Sequence, residues 1–199
     1  MQIAIATRNK KKIEEIKMIT EGMPISLLSL DDFPGCPEVE ETEDTFEGNA
    51  VLKSKAVSAF TKTPALSDDS GLVVDSLGGK PGVLSARYAG DNASDADNLN
   101  KLLLELKDIP KERRTARFVC VVALSMPDGA TETFEGTVEG VIGFEPIGRK
   151  GFGYDPVFYP EGHDRTFAEM TQDEKNSMSH RGRALLKLRE FLKTTNIAM

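Results

Sequence analysis

The sequence predicts a mixed α/β fold, built on a sheet with both parallel and antiparallel strands. Two observations carry this. Strand-like and helix-like segments interleave along most of the chain, the pattern of βα units. Against it stands one long hairpin, Thr115–Met126 and Thr131–Phe144, joined at Pro127-Asp128-Gly129 and therefore antiparallel. No repeat, low-complexity segment or Pro/Gly/Ser-rich linker divides the 199 residues, so the expectation is one domain over 1–199.

Gln2–Ala6 reads as a buried first strand. The polar turn Thr7-Arg8-Asn9-Lys10-Lys11-Lys12 then opens a helix with Ile13, Ile16 and Ile19 on one face, and Gly22 stands where a helix-terminating glycine belongs. Ile25–Leu30 is short enough for a strand. Residues 31–47 carry eight acids and no base. Thr45 can cap a helix in which Phe46, Ala50, Lys53, Val57 and Phe60 recur at three- and four-residue spacing, with Pro64 ending it. Ala65–Asp69 and Leu72–Leu77 read as strand ends flanking a sharp turn at Ser70-Gly71. Gly78–Gly82 is loop by composition. Ser94-Asp95-Ala96-Asp97 resembles a capping box ahead of Leu99, Leu102, Leu103 and Leu106, and Thr171-Gln172-Asp173-Glu174 forms a second one. A helix built on Leu185, Leu188 and Leu192 closes the chain.

Composition narrows the function classes. Apolar residues at 39% and charged residues at 29% are ordinary for a folded domain, which excludes a disordered chain. Twenty-five basic against 32 acidic side chains leave a net charge of −7, the wrong sign for sequence-independent nucleic-acid binding. The longest apolar run, Phe118–Leu124, is too short to span a membrane. Met1 leads straight into a strand with no basic or apolar leader, so the expected location is the cytoplasm. Cys36 and Cys120 are too few for a disulfide scaffold or a thiolate zinc site, and with only His163 and His180 any metal is expected on oxygen ligands. Walker, dinucleotide, nucleophile-elbow and zincin motifs are all absent.

Four segments remain as candidates for chemistry. Thr7–Lys12 places backbone N–H groups and a helix dipole at one spot, which suits phosphate; it also reads as a solvated basic turn. Ser67-Asp68-Asp69-Ser70-Gly71 sets two adjacent carboxylates between apolar segments. That is awkward without a facing cation, and Mg²⁺ accepts one or two carboxylates plus waters and phosphates; an Asx turn with solvated acids is the other reading. Gly148–Pro156 combines glycines, which admit close backbone approach, with Phe152 and Tyr154, which can stack on a base or fill a core edge. Lys175, His180 and Arg181 can bind a polyphosphate or the polar edge of a base, or form a surface pair.

Together these segments resemble the inosine triphosphate pyrophosphatase family, the dITP/XTP pyrophosphatases that remove aberrant purine nucleotides. The resemblance runs from Ile3 to Leu192. It rests on Ala6-Thr7-Arg8-Asn9 with Lys12, Thr45-Phe46 with Asn49-Ala50, Ser67–Leu72, Leu77–Gly82 with Ser85–Tyr88, Gly151–Pro156, and Glu174-Lys175-Asn176 with Ser179-His180-Arg181. Two positions depart from the family pattern: Arg8 stands where glycine is frequent, and Gly48 where glutamate is common.

The resemblance implies a long, bent mixed sheet with helices forming two lobes around a cleft, a homodimer, and Mg²⁺ as cofactor. It implies hydrolysis of ITP, dITP and XTP to the monophosphate and pyrophosphate. Asp69 would be the proton acceptor and a metal ligand, Glu41 a second ligand, and Asp68 a possible third. Thr7, Arg8, Asn9, Lys10, Lys11 and Lys12 would hold the triphosphate, and Ser70 would touch substrate. Phe152, Gly153, Tyr154, Asp155, Lys175, His180 and Arg181 would build the base and sugar pocket. Donors facing the C6 carbonyl of hypoxanthine or xanthine would leave adenine mismatched, at about 1–3 kcal/mol per unpaired donor.

Overall fold

The computed structural model describes residues 1–195, so the last four positions of the expected 1–199 domain lie outside the described residues. The chain runs β1 (Gln2–Ile5), α1 (Lys10–Ile19), β2 (Ser26–Leu28), α2 (Phe46–Thr61), β3 (Ala65–Val74), α3 (Asp95–Glu105), β4 (Thr115–Ser125), β5 (Thr131–Ile142), β6 (Phe158–Pro160), α4 (Gln172–Met178) and α5 (His180–Thr194). One six-stranded sheet has the order β2-β1-β3-β4-β5-β6. β1 is parallel to β2, with Ile3 opposite Leu27, and to β3, with Ala4 opposite Ala65. β5 and β6 pair antiparallel, with Val141 opposite Tyr159. The sheet is mixed, as the hairpin required.

Helix starts follow local chemistry. Asn9 caps α1 through bonds to the N–H groups of Lys11 and Lys12, and Thr45 caps α2 at Gly48. Ser94 with Asp97 and Thr171 with Glu174 complete capping boxes on α3 and α4. Each such cap is worth about 1 kcal/mol. α2 ends where Lys62 turns left-handed at φ 56°, two residues before Pro64. Among the described residues no helix is long and apolar enough to cross a membrane.

Two compact units emerge. The first holds residues 1–69, 120–136 and the chain from Arg181 onward; the second holds Ser70–Val119 and Thr137–His180. In the first, alternation along the strands decides what each helix meets. Ile3, Ile5 and Leu66 pack with Ile16 of α1 and with Ala184, Leu185, Leu188 and Leu192 of α5. The intervening Ala4, Ala6 and Ala65 pack with Val57 of α2, and their small side chains fit its close approach. β1 is thus buried on both faces, which is why it reads as an unbroken apolar run.

In the second unit, Leu72 and Val74 of β3 pack with Leu99, Leu102 and Leu106 of α3 and with Phe118, Phe158 and Phe167. Arg114 is buried there, donating to the carbonyl oxygens of Leu106, Ile109 and Gly143.

The expected turn at Ser70-Gly71 does not form. β3 runs unbroken through both residues, and Gly71 takes no left-handed conformation. Within a strand hydrogen-bonded into the sheet, ladder bonding outweighs the turn preference of a Ser-Gly pair. Asp68 and Asp69 therefore lie inside a strand and not beside a loop.

Candidate active site

Successive strand residues point to opposite faces, and that separates the two carboxylates. Asp68 shares its face with Leu66, toward α1 and α5. Its Oδ2 accepts from Arg181 Nη2 at 2.9 Å and Nε at 3.3 Å, and lies 3.1 Å from Lys12 Nζ. Arg181 Nη1 also donates to Glu15 of α1. Asp69 shares its face with Ala65 and Ser67, toward α2. Asn49 Nδ2 donates to its Oδ2 at 3.2 Å, and Lys53 Nζ lies 3.8 Å from its Oδ1. The same ammonium donates to Glu41 Oε1 at 2.5 Å and to the Asp68 carbonyl at 2.8 Å. Glu41, on the irregular acidic segment before α2, is thereby brought to Asp69.

These settings drive the two acids apart electrostatically. Burial works to raise the Asp68 carboxyl, yet Lys12 and Arg181 override it and hold the group well below the usual carboxylate range. Burial also pushes the Asp69 carboxyl up, and Glu41 adds to it; Lys53 opposes them, and the result is about 6. For Lys53 itself burial disfavours the charge, but Asp69, Asp68 and Glu41 prevail and raise it. One acid is locked as an anion, while its neighbour sits within reach of neutral pH, the range that suits a proton acceptor.

The turn before α1 is partly committed to its own cap. Asn9 Oδ1 takes Lys11 N at 3.0 Å and Lys12 N at 3.3 Å, and Thr7 Oγ1 takes Asn9 N at 3.2 Å. Arg8 donates to the Cys36 carbonyl at 2.8 Å and so ties this turn to the segment after β2. Lys10 and Lys11 are exposed and Lys12 half-buried. Ser70 is half-buried within β3.

The glycine-rich loop forms a separate cluster in the second unit. Lys175 Nζ, buried, bonds Asp155 Oδ2 at 2.7 Å and lies 4.9 Å from the centre of the Phe152 ring. Asp155 Oδ2 also accepts the Phe152 N–H at 2.8 Å. Gly151 has φ +73°, and a Cβ there would meet that oxygen at 2.0 Å, so only glycine lets the loop close over Asp155. Gly153 N donates to Asp95 Oδ2 at 3.1 Å, and Tyr154, buried, donates to the Ser85 carbonyl at 2.9 Å. The buried His180 ring stacks on Phe118, with centroids 4.8 Å apart and planes 11° from parallel.

Phe152, Asp155 and Lys175 are therefore brought together, as are Glu41 with Asp69 and Lys12 with Asp68. The Arg181 guanidinium goes to Asp68 and Glu15, and His180, its neighbour in sequence, goes to Phe118. Sequence reasoning did not single out Lys53, Asn49 or Glu15 as site residues. Lys53 carried a signal: a lysine on the buried stripe of α2 needs a buried anion. Glu15, between apolar helix positions, offered none.

Among the described residues no three histidine, cysteine or carboxylate side chains converge into a closed metal cage. What α2 and β3 do assemble is a pair of carboxylates, Glu41 and Asp69, around a cation at Lys53 Nζ. All-oxygen donors, few in number, fit Mg²⁺, which fills its shell with waters and phosphate oxygens.

The chain is similar to known proteins over nearly its whole length. The Ham1 family model matches residues 3–191. A dITP/XTP pyrophosphatase of Geobacter sulfurreducens is 53% identical over 191 residues, covering 96% of each chain. One of Halalkalibacterium halodurans is 50% identical over 188 residues, covering 94% of this chain and 97% of the other. The structure of a HAM1 protein from Coxiella burnetii superposes with a TM-score of 0.90 at 41% identity, covering 98% of this chain and all of the other.

Proposed function

The chain belongs to the Ham1 family, and from that membership we infer a nucleoside-triphosphate pyrophosphatase that converts dITP, ITP and XTP to the monophosphate and pyrophosphate. The observation that carries the chemistry is the setting of Asp69. Its carboxylate is buried, oriented by Asn49 and raised to about 6, so it can take a proton from the attacking water and still be ionised at neutral pH. Water attacks the α-phosphorus, the α–β anhydride bond breaks, and pyrophosphate departs with the bonding electrons.

We assign Mg²⁺ to Glu41 and Asp69, where it would neutralise phosphate charge when bound. Asp68 acts through its neighbours: held as an anion, it fixes Lys12 and Arg181 beside the phosphate turn. The exposed Lys10 and Lys11, with Thr7, Arg8, Asn9 and Lys12, supply positive charge and N–H donors for the triphosphate. Ser70, two residues beyond Asp68 on β3, is assigned to the same substrate. The base pocket is assigned to Phe152–Asp155, Lys175, His180 and Arg181. Phe152 offers a stacking face, and Lys175 and His180 offer donors that a C6 carbonyl accepts and a C6 amino group does not. In this reading Arg181 serves the pocket through its anchor on Asp68.

We also read the chain as one domain with two lobes, acting in the cytoplasm as a homodimer on a free nucleotide, without nucleic acid or membrane. Sedimentation at micromolar concentration tests the dimer; a monomer would remove it. The activity is tested with dITP, XTP, dATP and dGTP, each incubated with Mg²⁺ or with chelator. Pyrophosphate from dITP and XTP, abolished by chelation and far exceeding that from dATP, is expected. No turnover of any purine nucleotide would overturn the assignment.

A further inference from the structure

Lys53 accounts for the charge that brings Glu41 to Asp69, but not for how the irregular segment bearing Glu41 keeps its place. Residues 33–45 contain no helix or strand, so nothing periodic fixes their backbone. From α2, the side chain of Asn49 fastens this backbone. Its Oδ1 accepts the Glu43 N–H at 2.9 Å, and its Nδ2 donates to the Glu43 carbonyl at 3.1 Å, a closed two-bond ring like a strand bridge. The second Nδ2 hydrogen goes to Asp69 Oδ2 at 3.2 Å. The amide is fully buried, and its orientation is fixed by the network, since the Glu43 N–H can only meet the oxygen.

We propose that Asn49 is a positioning residue that sets the Asp69 carboxylate and the Glu41 segment in register as one divalent-cation site. The proposal rests on the reading of Glu41 and Asp69 as the metal pair. Asn49 and Lys53 are four residues apart on one face of α2, so the helix presents a neutral clamp and a charged one to Asp69 and to the acidic segment, the first at the Glu43 backbone and the second at the Glu41 side chain. The neutral clamp fixes which Asp69 oxygen is occupied by protein: Oδ2 is held by the amide, and Oδ1 faces Lys53. Asn49 acts through Asp69 and through the Glu43 backbone that carries the Glu41 segment. Groups that hold metal ligands in place typically change metal affinity 10–100-fold when removed.

The test pairs direct cation binding with kinetics. Mn²⁺ binding to the nucleotide-free full chain is followed by electron paramagnetic resonance for wild type, Asn49→Ala, Asp69→Asn and the double variant. Asn49→Ala is expected to weaken Mn²⁺ by about tenfold or more. It should lower kcat about 10–100-fold while the KM for dITP stays within about threefold, because the phosphate turn is untouched. In the Asp69→Asn background the same change should weaken Mn²⁺ by less than about threefold, since the ligand it positions is already gone.

A merely structural asparagine would lower the melting temperature and leave Mn²⁺ affinity and kcat per folded molecule unchanged. It could otherwise weaken Mn²⁺ equally in both backgrounds; either result overturns the proposal. Should Asn49→Ala fail to fold, Asn49→Ser retains a small acceptor for the Glu43 N–H and carries the same expectations. If the wild type turns over no nucleotide, the proposed function fails, while the Mn²⁺ cycle still decides the role of Asn49.

Discussion

Asp68 and Asp69 are consecutive residues of β3 whose carboxylates belong to different networks. Asp68 Oδ2 lies 2.9 Å from Arg181 Nη2, and Asp69 Oδ2 lies 3.2 Å from Asn49 Nδ2. The two-residue period of a strand produces this separation, and it turns an awkward pair of like charges into one anion held by Lys12 and Arg181 and one carboxyl raised to about 6.

The two acids should therefore respond oppositely to the same substitution. Asp69→Asn is expected to reduce turnover at least about 100-fold with the fold intact, the range for loss of a general base. Asp68→Asn removes an anion that faces a buried guanidinium, and breaking such a pair costs about 3–5 kcal/mol. Glu15 still faces Arg181, which puts the loss near the lower end, a fall in melting temperature of about 6–12 °C. Thermal denaturation with single-turnover kinetics checks both. An Asp69→Asn enzyme retaining more than a tenth of wild-type activity would move the proton acceptor elsewhere.

Stability depends on pH through both acids, in opposite directions. Asp69 binds its proton more tightly folded than unfolded, since burial raises it from 3.8 to about 6. Its contribution is complete below pH 3.8 and is lost as pH rises through about 6, by up to about 3 kcal/mol. In chelator-treated protein, Asp69→Asn should gain stability over wild type between about pH 4 and pH 7.5. Asp68 runs the other way: its contribution is present above pH 3.8 and fails as pH falls below it. Urea titrations across this range decide; a flat difference between Asp69→Asn and wild type would contradict the raised carboxyl.

In the second unit, Lys175 and Asp155 form a buried pair with side chains 3% exposed. Lys175→Met or Asp155→Asn alone should cost about 3 kcal/mol or more, because each leaves the other's charge buried. The double variant should recover part of that loss, giving a coupling energy above about 1 kcal/mol by urea denaturation. Both single variants should also raise the KM for dITP, through the Phe152 loop that Asp155 holds. Additive losses would mean that the pair is not the unit described.

Gly151→Ala would force a Cβ against Asp155 Oδ2 from a φ of +73°. The expected result is a rise in KM for dITP of about tenfold or more, with the melting temperature lowered by only a few degrees. Kinetics matching wild type would show that the loop closes without this contact.

Much of the fold was legible because its signals are local. The hairpin between β4 and β5, the caps at Thr45, Ser94 and Thr171, and the leucine stripe of α5 all follow from neighbouring residues. The continuity of β3 was not, because ladder bonds from sheet neighbours distant in sequence decide whether Ser70-Gly71 turns or extends. The three-residue β6, which holds its place through β5, was missed for the same reason.

In the candidate site, Asp69, Glu41 and Lys12 are expectations from chemistry and resemblance, and the structure sets the first two around Lys53. The partnership of Arg181 with Glu15 could not be read from the sequence, since 166 positions separate two charges whose meeting depends on how α1 and α5 pack. Lys53 was the readable clue left unused, a cation on an otherwise apolar helix stripe.

The role proposed for Asp69, to direct water to the α-phosphorus of a purine triphosphate, follows from its buried and raised carboxyl. It is tested most directly by hydrolysing dITP in ¹⁸O-labelled water with Mg²⁺ and analysing the products by mass spectrometry. The expected products are dIMP and pyrophosphate in equal amounts, with the label in dIMP, and neither product from Asp69→Asn above background. Orthophosphate with dIDP, or label in the pyrophosphate, would contradict it.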